Sequence, residues 1–326
     1  MSQRSNGIMV NNYLYASIKL GQLDVVKGLL KCGANVNPKN RYLQPSPLQL
    51  AAIHGHFEIM KVLIENGAII DSRNNCSSAT ALHYAVESKY RNVTIVKELL
   101  IHGAQPDLKT NSGHTALQIA STKPLNPSTL LIIDELVKFG ATIDMKNEHC
   151  DTALHIATRK GHVDVVRRLL ECGADVNCTT RIGMTPLHIA SSAGHIDVVK
   201  EILLKGPLLN IKAANLEWTP LFLACKWDRT NVVKVLLEAG ADLNIQNVWG
   251  ETSLYKAVAR KDVEMVRVIL QWHQDIDFSL KCIDDLTALD VALQKDWPVE
   301  IGQMIAKCLY TKSRITDSIY PLEKFF

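Results

Sequence analysis

Eleven histidines and eight cysteines are the side chains of this 326-residue chain best suited to holding a metal or moving a proton. Their spacing argues against both uses. His155 and His162 are seven residues apart, and so are His188 and His195; each pair sits in the same local sequence, Thr-x-Leu-His followed by Gly-His. His83 repeats the first place and His56 the second. A spacing that returns together with its flanking residues is explained by repetition of a structural unit, which leaves no need for a ligand role. No Cys-x-x-Cys pair of the zinc-binding kind occurs, and the cysteines read as reduced thiols. A Gly-rich phosphate loop with its lysine, a Gly-x-Ser-x-Gly elbow and a His-Glu-x-x-His helix are also missing. The expectation is a chain with no cofactor, no metal and no catalytic group, and therefore not an enzyme.

The elements that carry these histidines repeat. The reference copy is Thr185-Pro186-Leu187-His188-Ile189-Ala190, then Gly194-His195 and a run of Val and Leu. Matching anchors stand at Ser46, Thr80, Thr115, Thr152, Thr185, Thr219, Thr252 and Thr287, with gaps of 34, 35, 37, 33, 34, 33 and 35 residues. A period near 33 predicts a stacked array of one supersecondary unit. Within that unit Thr185 is placed to cap a helix and Pro186 to occupy its first position, where a missing N–H costs nothing. Leu187, Ile189 and Ala190 give a short inner helix its buried side. After the Gly-His turn, Asp197 opens a second helix near its positive end, and Val198, Val199, Ile202 and Leu203 keep the three-and-four spacing of one apolar face. Neither helix hides that face alone, so each unit must stack on its neighbours.

Thr-Pro-Leu-His, Gly-His and the closing Gly173-Ala174-Asp175-Val176-Asn177 together resemble the ankyrin repeat. The resemblance covers about residues 11 to 310, as nine repeats starting near 11, 46, 80, 115, 152, 185, 219, 252 and 287. An extension, 1–10, and a tail, 311–326, flank them. It implies an all-α fold, an ankyrin-repeat solenoid of stacked helix-turn-helix units with projecting β-turn or hairpin loops. It also implies that the histidine of Thr-x-Leu-His bonds and orients neighbouring turns.

Some copies depart from the pattern. In the fourth, Pro124 and Pro127 resist helix and point to a protruding loop between the two helices. In the third, Glu87-Ser88-Lys89-Tyr90-Arg91-Asn92 replaces the Gly-His turn. The ninth carries Asp296-Trp297-Pro298 instead, as expected of a capping unit.

Composition sets the remaining bounds. With 47% hydrophobic residues the chain has ample material for a core, and a net charge of +3 does not by itself argue for nucleic acid or an anionic membrane. Lys39, Arg41, Arg73, Lys109, Lys146, Arg181 and Lys212 could make a basic edge, but Asp71, Asp107 and Asp144 interrupt it. No apolar run approaches the roughly 18 residues of a spanning helix, and no signal core follows Met1. The expectation is a soluble monomer of the cytoplasm or nucleus, with no membrane insertion, no nucleic acid and no small-molecule substrate.

Proteins that this chain resembles bind partner proteins on the face made by turn tips and inner helices. Position by position, that face receives Tyr42, Arg181, Ile182, Met184, Trp218 and Trp249 at the tips. It receives His54, Arg159, Lys160, Lys226, Trp227 and Arg260 at the ends of inner helices. Trp and Arg bury much surface at modest entropic cost, which makes them frequent interface anchors. The site expected from these residues is a binding surface over repeats five to eight for a protein segment that is acidic, apolar or both. The chain would then act as a scaffold or adaptor. A second function stays open, because Pro321-Leu322, with Phe325-Phe326 after it, resembles the end of a SOCS box. That resemblance implies a substrate-recognition subunit of a ubiquitin ligase.

Overall fold

The Ser and Thr anchors become helix caps. In a computed structural model describing residues 2–38, 44–74, 76–90, 92–124 and 126–316, the side-chain oxygens of Ser46, Thr115, Thr185, Thr219, Thr252 and Thr287 each accept the backbone N–H three residues on. At Ser46, Thr115, Thr185 and Thr287 the third-place side chain (Gln49, Gln118, His188 and Asp290) bonds back to the cap's own N–H. Such reciprocal capping satisfies two orphan donors at once, and losing a cap costs about 1 kcal/mol. Pro47, Pro186 and Pro220 follow their caps at the first helical position.

Nine helix pairs result among the described residues. The inner members are Ser2–Lys19, Pro47–His54, Ala81–Glu87, Ala116–Ser121, Ala153–Lys160, Pro186–Ala193, Pro220–Lys226, Ser253–Ala259 and Ala288–Ala292. Their outer partners are Leu23–Lys31, Phe57–Glu65, Val93–Ile101, Pro127–Lys138, Val163–Glu171, Ile196–Leu203, Thr230–Glu238, Val263–Ile269 and Val299–Thr316. Two compact units contain them, one of Met1–Ala157 with Glu171–Ala174, the other of Thr158–Leu170 with Asp175–Phe326. In the first unit the inner helices of repeats one to four pack in series, as do the outer helices. In the second unit the same holds for repeats six to nine. Leu187, Val198, Val199 and Ile202 are all 0% exposed, so these positions of the reference copy lie in the stack, while Leu203 is only half-buried at its edge.

Within each unit, two small devices set repeats on their neighbours. The Asn or Asp that closes a copy accepts a backbone N–H one repeat later: Asn37 from Ile69 at 2.9 Å, Asp107 from Thr142 at 2.9 Å, Asn177 from Leu208 at 2.8 Å and Asn244 from Asp277 at 2.7 Å. The Gly-His turn supplies the other. Gly161 has φ +71°, and a Cβ there would lie 2.9 Å from the ring of His195, whose Nε2 is 3.4 Å from the Arg159 carbonyl. In repeat seven the sequence reads Asp228-Arg229 instead. Arg229 donates from Nε to the Ser192 carbonyl at 3.2 Å and packs on Gly194 as histidine does elsewhere.

The fourth repeat corrects a sequence expectation. Pro127 does not lie in a protruding loop; it opens the outer helix Pro127–Lys138 at a first-turn position, behind Asn126, whose side chain accepts the Ser128 N–H at 2.8 Å. Pro124 alone stays between helices. The extra residues pass partly into an outer helix of 12 residues, against nine in Val163–Glu171. The first residues of the expected tail, 311–316, continue the last helix to Thr316, and residues of the expected extension belong to a helix that starts at Ser2. In repeat nine Trp297 donates its indole N–H to the Val258 carbonyl at 2.9 Å, with the Lys261 ammonium 4.3 Å from the ring centre. Lys39, Arg41, Tyr42 and the Pro321–Phe326 ending lie outside the described residues. Among the described residues no helix is long and apolar enough to cross a membrane.

Candidate partner-binding surface

The projecting tips are closed by backbone bonds and tied to one another. Thr180 N–H donates to Met184 O, Ala213 to Trp218 O and Asn247 to Glu251 O, at 3.0, 2.9 and 3.1 Å. Between tips, Ala214 N–H reaches Ile182 O at 3.0 Å, Val248 reaches Leu216 O at 3.4 Å and Ile283 reaches Trp249 O at 2.8 Å. The only bridge of β type among the described residues joins Lys281 to Thr287, so the tips are turns rather than strands. Gly183 fits this row because its φ is +74° and a Cβ would stand 2.6 Å from the Ala214 nitrogen.

His188 fixes the tip of repeat seven from below. Its Nδ1 accepts the Thr185 backbone N–H at 3.1 Å, which leaves the proton on Nε2, and Nε2 donates to the Trp218 carbonyl at 3.0 Å. Burial lowers the imidazole pKa to about 4, so the ring is neutral near pH 7. His83 is arranged alike, with Nε2 3.0 Å from the Leu108 carbonyl, and burial lowers its pKa too. The Thr-x-Leu-His histidines at these places are structural ties.

Trp218 is half-buried, where the sequence had suggested an exposed tip residue. Its ring stacks on Phe222 with centroids 6.2 Å apart and meets Trp249 at 6.4 Å, tilted by 43°. The Lys226 ammonium stands 3.7 Å from its centroid and 5.8 Å from that of Trp227. Burial, with Lys256 nearby, pushes the Lys226 ammonium below its usual pKa, and Glu251 opposes the shift. The indole Nε1 of Trp218 is buried and has no hydrogen-bond partner, so ring contacts alone hold the side chain. Trp227 and Trp249 are 51% and 41% exposed.

The sequence-predicted residues divide into groups. Ile182, Met184, Trp218 and Trp227 line one cavity of about 410 Å³, together with Ala213 and Leu216. Lys226 and Trp249 line a second of about 390 Å³, with Tyr255, Lys256 and Ile283. Arg159, Lys160 and Arg181 are exposed but line neither cavity. Arg260 is engaged by its own chain, with Nε donating to Asp228 Oδ1 at 2.8 Å and its guanidinium also bonded to Oδ2. Leu216 and Ile283 were missed by sequence reasoning. The period pointed to them, since Ile182, Leu216, Trp249 and Ile283 follow one another at 34, 33 and 34 residues.

The family model of three tandem ankyrin repeats matches residues 13–110, 88–180 and 172–247. Ankyrin repeat protein FPV031 of fowlpox virus is 34% identical over 111 residues, which are 34% of this chain and 32% of that protein. Mouse ankyrin repeat and SOCS box protein 11 is 34% identical over 77 residues, 24% of this chain and 23% of the relative. The match thus spans a third or less of these relatives. Among solved structures, the ankyrin repeat domain of Bcl-3, a member of the IκB protein family, superposes with a TM-score of 0.63 at 26% identity. That superposition covers 70% of this chain and 98% of the Bcl-3 chain. Capped inner helices, turn histidines and tied tips recur through residues 13–247, which the three-copy model covers, and the chain belongs to the ankyrin repeat family.

Proposed function

We propose that this chain is a non-catalytic scaffold or adaptor that holds a partner protein against the tips and inner helices of repeats six to eight. Ankyrin repeats are protein-interaction modules, which supports the class of function. The observation that carries the location is the apolar cavity of Ile182, Met184, Trp218 and Trp227, with Trp227 half-exposed at its edge. An exposed aromatic beside an apolar pocket is the arrangement expected of a hot spot. Arg159, Lys160 and Arg181 would add charge at the rim, where it tunes encounter rates more than affinity.

The test is capture from a cell lysate with mass spectrometry, comparing the wild-type chain with Trp227→Ala/Trp249→Ala. Both rings are well exposed, so the thermal melt should hold while specific partners disappear. Recovery of an unchanged partner set by the double variant would refute this location.

A second reading, substrate receptor of a ubiquitin ligase, draws on the likeness to ankyrin repeat and SOCS box protein 11 and on the Pro321–Phe326 ending. Its test is co-purification of an elongin or a cullin with the full chain, lost on deleting residues 317–326.

A further inference from the structure

Three cations around the two cavities each hold a carboxylate, and Asp284 adds a further carboxylate to the lining of the second cavity. Lys212 holds Glu217 at 2.7 Å, Arg260 holds Asp228, and Lys256 holds Glu251 at 3.2 Å. Lys226 has no carboxylate within ion-pair distance; its ammonium rests on the Trp218 ring, which is a wall of the apolar cavity, and it lines the second cavity as well. Arg229 and Lys256 extend the positive side of this surface, and Lys256 itself lies 5.9 Å from the Phe222 ring centre.

We propose that the occupant of this surface is a protein segment that seats one apolar side chain in the Ile182–Met184–Trp218–Trp227 cavity and sets a carboxylate on Lys226. This deepens the reading of the surface given above and rests on it. The lining is mainly apolar, from Ile182, Met184, Leu216, Leu223 and the two indoles, with Ser192 and Asn215 too few to pair the many polar groups of a sugar or a base edge, so the anchor is aliphatic or aromatic. Lys226 then supplies a charge-assisted bond beside the anchor, in a site whose apolar neighbours strengthen it. A polyanion is disfavoured, because Lys212, Lys256 and Arg260 are already held by Glu217, Glu251 and Asp228, and Asp284 lines the second cavity together with Lys226. Since an extended chain advances about 3.5 Å per residue and Lys226 lies against the cavity wall, anchor and carboxylate stand within about three residues of each other.

Random dodecapeptides displayed on phage, selected against the full chain, provide the probe. The expected winners pair a Leu, Met, Phe or Trp with an Asp or Glu within about three positions. Binding of a synthetic winner falls about tenfold or more with Lys226→Gln, and Lys226→Glu selects peptides with Lys or Arg at the acidic place. Lys226→Met keeps the stem over the Trp rings and separates loss of charge from loss of packing; it should bind as weakly as the Gln variant. Winners without an acidic residue, an unchanged preference on the Glu variant, full affinity of the Met variant, or no enrichment at all would each overturn the inference. The capture experiment on Trp227 and Trp249 is decided separately, so the two readings can fail independently.

Discussion

His188 of repeat six donates its Nε2 hydrogen to the carbonyl oxygen of Trp218 in repeat seven, at 3.0 Å. The bond ties a helix cap to the residue that walls the apolar cavity, so the protonation state of one imidazole bears on the geometry of the candidate binding surface. In repeat four the same job falls to an amide. Gln118 Oε1 accepts the Thr115 N–H at 3.0 Å, and its Nε2 donates to the carbonyls of Met145 and Asp151 at 2.6 and 3.0 Å.

Acid should therefore loosen the stack. Unfolded histidine titrates near 6.5 and folded His188 at about 4, so the unfolded chain takes the proton first. The stability that this difference confers is complete above pH 6.5 and is lost as pH falls toward 4; His83 acts in the same direction. The His188 contribution is about 3 kcal/mol. Urea midpoints measured from pH 7.5 to 4.5 should decline, and His188→Gln, keeping the bonds of Gln118, should decline less steeply. Equal slopes for the two proteins would contradict the assignment.

Leu187→Ala removes a fully buried side chain from the stack of repeat six. The expected loss is about 2–5 kcal/mol through the cavity left behind, read as a lower urea midpoint. A melt indistinguishable from wild type would mean that Leu187 does not face the core.

Two tip substitutions should act in opposite senses. Gly183→Ala puts a Cβ 2.6 Å from the Ala214 nitrogen at φ +74°, and should destabilise by more than about 1 kcal/mol. Cys150 holds a comparable turn at φ +61° with a side chain, so Cys150→Gly should stabilise by up to about 1 kcal/mol. Calorimetric midpoints of the two variants check both signs.

Arg260 should matter less to binding than its sequence position suggests. Its exposed pair with Asp228 is worth below about 1 kcal/mol to stability, and the guanidinium is already occupied. Titration of a selected peptide by isothermal calorimetry should give near-wild-type affinity for Arg260→Ala and a clear loss for Lys226→Ala.

The repeat itself was legible because its instructions are local. A capping Thr, a proline after it and a glycine at the turn act within a few residues, and they recur in register. What escaped were relations that span a whole repeat. Asn177 was visible as a recurring letter, but its partner Leu208 is 31 residues on, and only the stack places them together. Arg229, one repeat after Gly194, packs on that glycine and bonds the Ser192 carbonyl, a relation that nothing local to Asp228-Arg229 announces. Pro127 was read as a helix breaker where it is a helix opener, since Asn126 supplied a cap that went unrecognised. At the candidate site, the aromatic and basic residues were found by position. Their pairing was not, because the partner of Arg260 sits one repeat earlier, at Asp228.

The closing asparagines carry an implication for how such a chain can change length. Excising one whole copy between Asn177 and its counterpart, or splicing another in, would leave an amide oxygen on one side of the join and a waiting N–H on the other. Lengthening or shortening by complete copies thus needs no re-tailoring of the seam, whereas a cut at any other phase strands both halves of the bond.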